Sequence, residues 1–71
     1  MNYCKCKNEL IIDDKIYFTN INYNYDYIII NEDNILQLIY VVFDINGEKL
    51  YCDKEYFNNN FKIIKLKEQL C

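Results

Sequence analysis

Four cysteine thiols are the side chains that could serve as nucleophiles or metal ligands, and they stand at positions 4, 6, 52 and 71. A zinc site usually takes its ligands in pairs with two to four residues between them. One residue separates Cys4 from Cys6, whereas Cys52 and Cys71 are far apart. The spacing also lacks a CxxC redox motif. We therefore expect no metal site, and we expect the thiols to be reduced. Cys4, Cys6 and Cys52 should be buried as small apolar side chains, and Cys71 should lie in a frayed end.

General acid–base and nucleophilic catalysis have few candidate residues. The chain has no histidine and no serine, and Gly47 is its single glycine. It therefore lacks the usual base, a serine nucleophile and a glycine-rich phosphate cradle. The paired acids, at 13–14 and 32–33, are adjacent in sequence, which is typical of solvated loop charge. We predict that the protein is not an enzyme, with no catalytic residues and no cofactor.

Tyrosine is abundant, with eight residues in 71. A tyrosine ring offers a large contact area at a low entropic cost and is enriched in protein interfaces. Acidic loops can in addition steer a protein towards a nucleic-acid-binding cleft. The predicted partner-binding residues are Tyr23, Tyr25, Tyr27, Tyr40 and Tyr51, with Glu32 and Asp33 as steering charges. The alternative for each ring is that it packs inside the fold.

Composition and charge limit the partners. Twelve isoleucines, eleven asparagines and eight lysines, with no arginine, indicate an AT-rich genome. The net charge of −3 argues against direct nucleic-acid binding, which depends on neutralising phosphates. The chain shows no signal-peptide pattern and no apolar run of membrane-spanning length. We expect one domain, residues 1–71, that is cytoplasmic and makes no membrane contact.

The stretch from Ile35 to Cys52 predicts a central β-hairpin. Asn46-Gly47 between apolar strands indicates a two-residue type I′ turn, which would place Phe43 opposite Leu50 and Asp44 opposite Lys49. Residues that lie opposite each other share a sheet face. The predicted core face carries Ile39, Val41, Phe43, Leu50 and Cys52. The other face carries Tyr40, Val42, Tyr51 and the Asp44/Lys49 pair, and it is either covered by a second layer or open to a partner.

The rest of the chain predicts further β-structure and one helical turn. Asp53 is a candidate N-cap for the helical turn, which we place at 53–59. The other predicted elements are a strand at 2–7, an apolar loop at 8–14, a hairpin of strands at 15–22 and 23–30, a turn at 31–34, and a closing strand at 61–67 with a frayed tail. The fold class is therefore mainly β, either a small antiparallel barrel or a strongly twisted sheet.

Three segments in this order carry a resemblance to a known group of proteins: Lys15-Ile16-Tyr17 after an acidic loop, Asp44-Ile45-Asn46-Gly47-Glu48 at the tight turn, and Lys54-Glu55-Tyr56-Phe57 before the last strand. The chain resembles the short SH3-like small-barrel proteins of bacterial viruses and mobile elements. That resemblance implies a binding module, and it suggests inhibition of a host defence system in the manner of anti-CRISPR proteins.

Three functions follow as hypotheses. The first is an interaction module that binds and blocks a larger protein or protein–nucleic-acid complex of the host. The second is a protein that sequesters a nucleotide or another small ligand, with aromatic rings stacking on bases and Lys5, Lys7 and Lys62 meeting phosphates. The third is an oligomeric structural protein with a self-complementary Tyr40/Val42/Tyr51 face.

Overall fold

A computed structural model describes residues 2–31 and 37–65. In chain order the elements are β1 (Asn2–Cys6), β2 (Leu10–Ile12), β3 (Ile16–Phe18), β4 (Tyr25–Asn31), β5 (Leu38–Phe43), β6 (Lys49–Cys52), α1 (Lys54–Asn60) and β7 (Phe61–Ile64). This described part is mainly β with one short helix, as the sequence predicts. Glu32, Asp33, Ile35 and the tail that includes Cys71 lie outside the described residues.

The strands form two antiparallel sheets. The larger has five strands in the order β6-β5-β4-β1-β7, and the smaller pairs β2 with β3. Within the described residues β6 and β7 are open edges, so the large sheet does not close into a barrel. Of the two predicted architectures, the open sheet is the one that the structure has. The predicted opening strand is confirmed as β1, and the predicted closing strand is confirmed over Phe61–Ile64, where it pairs with β1.

Helix α1 begins where the sequence predicts it. Asp53 is extended, and its Oδ1 accepts a hydrogen bond from the Tyr56 N–H at 2.8 Å, which satisfies a backbone donor of the first turn. The last turn ends at Phe61, whose extended backbone donates its N–H to the Phe57 carbonyl. This reversal leads directly into β7, so the helix carries the chain from the β6 edge of the sheet to the β7 edge.

The core lies on one face of the large sheet, beneath α1 and the β2–β3 hairpin. The fully buried ring of Phe57 stacks on Tyr40 with centroids 4.4 Å apart, and it lies 5.0 Å from Tyr27. From the hairpin, the buried ring of Phe18 makes edge contacts with Tyr25 and Phe61. The helix and the hairpin therefore cover the same face.

The central hairpin has a different turn from the predicted type I′ turn. Its loop spans residues 45–47, because the Gly47 N–H donates to the Asp44 carbonyl at 3.0 Å and the Asp44 N–H donates to the Glu48 carbonyl at 2.9 Å. Gly47 has φ +87°, whereas Asn46 does not enter the positive-φ region. This is a type I turn followed by a glycine bulge.

The extra loop residue shifts the register by one position. Leu50 lies opposite Val42 and Lys49 lies opposite Phe43, so the prediction that paired Leu50 with Phe43 is wrong. A shift of one residue exchanges the faces of one strand relative to the other. Leu50 keeps its predicted place in the core, and it now shares that face with Tyr40 and Val42.

The core face and the opposite face of strand β5 are therefore exchanged relative to the prediction. The core face carries Tyr40 and Val42, while Ile39, Val41 and Phe43 point to the opposite side of the sheet. The predicted self-complementary Tyr40/Val42/Tyr51 face does not exist, because Tyr51 points away from the other two side chains. The predicted Asp44/Lys49 cross-strand pair is likewise absent.

The first half of the chain pairs differently from the prediction. Residues 8–14 were expected to form a loop, but Leu10–Ile12 is strand β2 and pairs with β3. The turn between them places Asp13 and Asp14 at φ 53° and 55°, a region that aspartate tolerates better than most residues. The predicted hairpin of 15–22 with 23–30 is therefore wrong, since β4 pairs with β1 and β5.

Candidate functional site

The side of the large sheet that faces away from the core has an apolar surface, which we call the outer face. Its central row runs across three strands, with Ile28 opposite Val41 and Val41 opposite Tyr51. Ile28 is 46% exposed and Tyr51 is 58% exposed, while Val41 between them is only 2% exposed. Ile28 and Tyr51, at the two ends of the row, thus shield Val41 but remain open to solvent themselves.

Further apolar side chains extend this row. Ile30 lies opposite Ile39, and Phe43 is half-buried opposite Lys49. The apolar residues of the outer face are Tyr3, Ile28, Ile30, Ile39, Val41, Phe43 and Tyr51, and the charged residues on the same side of the sheet are Lys5, Asp26, Lys49 and Lys62. Because α1 and the β2–β3 hairpin both pack on the core face, no described element covers these residues. A contiguous exposed apolar surface of this kind is typical of an interaction site.

A cleft of about 340 Å³ opens beside the central row of the outer face. It is lined by Asn2, Asp26, Tyr27, Ile28 and Phe43. Asp26 is exposed, and its carboxylate is the charged group of this lining. The cleft therefore suits an apolar side chain that is accompanied by a positive charge.

Three of the predicted partner-binding tyrosines lie in the core. Tyr25, Tyr27 and Tyr40 are 2%, 6% and 7% exposed, and all three belong to the buried cluster. The Tyr25 hydroxyl accepts a hydrogen bond from the Asn20 N–H, and burial raises the pKa of both Tyr25 and Tyr27. These rings are not available to a partner while the fold is intact.

The two other predicted tyrosines are exposed, but the structure does not bring them together. Tyr51 lies on the edge strand β6, on the outer face. Tyr23 is 40% exposed in the segment before β4, where its ring centroid is 4.8 Å from that of Tyr25. The predicted steering charges Glu32 and Asp33 lie outside the described residues.

Sequence reasoning missed most of the outer face, namely Ile28, Ile30 and the outward side of β5. The signal was present in the runs Tyr27-Ile28-Ile29-Ile30 and 38–43, which are apolar at every position. A continuous apolar run in a strand predicts that both faces of that strand are apolar. The run alone does not say which face a helix will cover.

The thiols in the described part of the chain are poor nucleophiles. Burial raises the pKa of Cys4 from 9.0 to about 12 and that of Cys52 to about 11, and the pKa of Cys6 is also raised by burial. The Cys6 Sγ is placed to donate to the Phe18 carbonyl at 3.6 Å. Over residues 2–31 and 37–65, no group of three or more acidic, cysteine or histidine side chains could hold a metal ion.

Alkaline pH should therefore destabilise the protein through Cys4. Its folded pKa of about 12 lies above the ordinary value of 9.0, so the native state keeps the thiol proton to a higher pH than the unfolded state does. The contribution of protonated Cys4 to the free energy of unfolding is complete below about pH 9. It decreases by up to about 1.4 kcal/mol for each pH unit above that. In urea unfolding under reducing conditions, Cys4→Ala should lose less stability than the wild type between about pH 9 and pH 11. Equal pH dependence in the two proteins would contradict this assignment.

The lysines that might have met phosphates in a ligand-sequestering protein are mostly engaged elsewhere. The Lys5 ammonium donates to the Asn22 carbonyl at 2.6 Å, and the Lys7 ammonium donates to the Asn58 carbonyl at 2.8 Å. Lys62 lies opposite Lys5 in the sheet. The cleft on the outer face carries Asp26, which would repel a phosphate. The backbone partners of Lys5 and Lys7 and the carboxylate of Asp26 count against the ligand-sequestering hypothesis, whereas the Lys5/Lys62 pair counts for it.

Comparisons with family models, with curated proteins and with solved structures each gave no match for this chain. In the described part of the chain, no helix is long and apolar enough to cross a membrane.

Proposed function

We propose that this protein is a non-enzymatic interaction module that binds a larger protein, or a protein–nucleic-acid complex, through the outer face and blocks it. The observation that carries the proposal is the apolar row of Ile28, Val41 and Tyr51, whose two end residues are exposed, on a side of the sheet that no described element covers. Burial of such a row releases about 25 cal/mol per Å² of apolar surface, which is the usual driving force of association.

The net charge favours a partner surface that is basic overall, although Lys5, Lys49 and Lys62 lie on the outer face together with Asp26. The chain carries a net charge of −3, and Asp26 stands within the cleft of the outer face. Complementary charge raises the rate and specificity of association more than the affinity. A cleft that normally holds nucleic acid is basic and would meet these requirements. We therefore propose an inhibitor of a host defence nuclease, encoded by a bacterial virus or mobile element, as the specific role.

The test is a plaque assay in a surrogate bacterial host that carries, one at a time, a panel of nuclease-based defence systems. The wild-type protein should restore infection against at least one of them by about 100-fold or more. Ile28→Glu should abolish the effect, because it places a charge in the centre of the outer face and removes an apolar contact of the type that dominates interfaces.

Ile11→Glu is the matched control. Ile11 is an equally exposed strand isoleucine, at 53%, but it lies in the β2–β3 hairpin rather than in the large sheet. It should behave like the wild type, and circular dichroism should show both variants folded. If the wild-type protein restores infection against no system on the panel, the role in host defence is wrong. If Ile11→Glu and Ile28→Glu lose activity equally, the outer face is not the binding surface.

A further inference from the structure

The charged side chains of the outer face are placed so that the face complements itself across strand β5. Lys49 lies opposite Phe43 on one side of β5. On the other side Tyr27 pairs with Val42, so Asp26 lies beside Phe43, and both line the cleft of the outer face. One row across the sheet therefore carries a cation on β6, an apolar ring on β5 and an anion on β4. Because neighbouring strands are about 4.8 Å apart, the two charged positions flank β5 at equal distances.

The next row of the outer face has the same arrangement about β5. Val41 on β5 stands between Ile28 on β4 and Tyr51 on β6. The valine is buried, whereas the isoleucine and the tyrosine on its two sides are both largely exposed. Either of these apolar side chains can pack on the other, and burial of both would be favourable. The flank of β5 that carries Ile28 therefore suits the flank that carries Tyr51 on an identical face.

We propose that the outer face binds the outer face of a second copy, as two sheets packed face to face, with a two-fold axis that runs along β5. Rotation about this axis brings β4 of each copy over β6 of the other and β5 over β5. Lys49 then lies over Asp26 of the second copy, and Ile28 lies over Tyr51 of the second copy, and each pair occurs twice. The strands of packed sheets cross at about 30°, which displaces these positions by a few Å, and the flexible lysine stem spans that offset.

The cleft of the outer face fits the side chain that this packing brings to it. Its volume is about 340 Å³, and the residues that line it include Tyr27, Ile28 and Phe43 as well as Asp26. A lysine has a flexible four-carbon stem that ends in a compact ammonium group. Lys49 of the second copy, which is exposed in the single chain, can therefore lay its stem on the apolar lining and its ammonium group on the carboxylate.

Axes along the neighbouring strands do not match the charges. An axis along β4 would place Asp26 over Asp26 of the second copy. Lys49 would then lie over Ile64, which belongs to the same row beyond Tyr3. An axis along β6 would place Lys49 over Lys49 of the second copy. Like charges that face each other are unfavourable, so of these three strands only β5 can carry the axis.

The dimer has a consequence for partner binding. It shields the row of Ile28, Val41 and Tyr51 from water, so a protein with an exposed apolar surface could be stored without aggregation. A larger partner that uses the same face would have to displace the second copy. This consequence rests on the proposed function, whereas the dimer itself does not.

The experiment is a charge-reversal exchange measured by sedimentation equilibrium at low salt. Lys49→Glu turns both charge pairs of the dimer into pairs of carboxylates, and Asp26→Lys turns both into pairs of ammonium groups. Each variant alone should raise the dimer Kd by about fivefold or more. An equimolar mixture of the two variants should form a heterodimer whose Kd is within about threefold of the wild type, because opposite charges then face each other in both pairs. Each chain carries one substitution, so the compensation must occur between two copies.

Lys62→Glu is the matched control. Lys62 is an exposed lysine on the same side of the sheet, and its replacement changes the net charge by the same amount as Lys49→Glu. It lies on β7, however, outside the overlap of β4, β5 and β6. The dimer Kd of this variant should therefore stay within about twofold of the wild type.

A wild-type protein that stays monomeric up to about 500 μM would overturn the proposal. A dimer that Lys49→Glu and Lys62→Glu weaken equally would also overturn it, as would a mixture of Lys49→Glu and Asp26→Lys that associates no more tightly than either variant alone. Sedimentation needs no partner protein, so these outcomes are distinct from a failure of the plaque assay.

Discussion

Replacement of Asp44 with asparagine should lower the free energy of unfolding by about 2–4 kcal/mol. Asp44 is the buried charged side chain of the described core, at 5% exposure. Its Oδ1 accepts hydrogen bonds from the Asn46 and Glu48 N–H groups at 2.8 Å, and its Oδ2 accepts one from the Tyr17 N–H at 3.0 Å. The carboxylate therefore ties the β5–β6 turn to strand β3 in the other sheet.

The asparagine variant isolates the contact between the sheets. Its Oδ1 can still accept from the turn, but its amide nitrogen would face the Tyr17 N–H, so that two donors meet in a buried site. Urea unfolding followed by circular dichroism measures the loss. Asp26→Asn is the control, because Asp26 is exposed on the outer face, and its effect should stay within about 0.5 kcal/mol. A loss below about 1 kcal/mol for Asp44→Asn would show that the carboxylate does not join the two sheets.

Replacement of Phe57 with alanine should destabilise the protein still more, by about 3–5 kcal/mol. Phe57 has no exposed surface, and its ring lies 4.4 Å from Tyr40, 5.0 Å from Tyr27 and 5.5 Å from Phe61. The cavity would remove the contact by which α1 is held on the sheet. Since a chain of this length is stable by only about 4–10 kcal/mol, this loss removes a large share of its stability and should lower the midpoint of thermal unfolding by more than about 10 °C.

The neighbouring residue of the same helix provides the control for Phe57. Tyr56 is 37% exposed, and the hydrogen bond from its N–H to Asp53 does not depend on the side chain. Tyr56→Ala should therefore cost about 1 kcal/mol or less. Thermal unfolding monitored by near-ultraviolet circular dichroism compares the two variants. Equal losses at the two positions would mean that α1 is not anchored through Phe57.

Local sequence signals identified the elements that depend on short-range chemistry. Asp53 predicts the helix because a carboxylate can accept from the first turn, and the structure has that bond. Cys4 and Cys6 predict a shared buried face in β1 because strand side chains alternate, and both are buried in the core. Neither inference needed any knowledge of distant residues.

The turns show where the local signals failed. Asn46-Gly47 is compatible with two turn types that differ by one loop residue, and the burial of Asp44 between the two sheets stabilises the longer one. At Asp13 and Asp14 the charges suggested the end of a loop, and a hairpin was not predicted. The structure has a tight turn there, because aspartate can adopt the left-handed conformation. In both cases the outcome depends on the strand that lies beside the turn.

The sequence by itself determined that the protein is mainly β, with a capped helix before its last strand and without histidine or serine for catalysis. Only the tertiary structure decided which side of the central hairpin is core. Strand β5 is apolar on both faces, so its residues do not indicate which face the helix and the β2–β3 hairpin will cover. A register shift of one residue, set by a buried carboxylate and a single glycine, placed Tyr40 and Val42 inside and left Ile28 and Tyr51 exposed on the outer face.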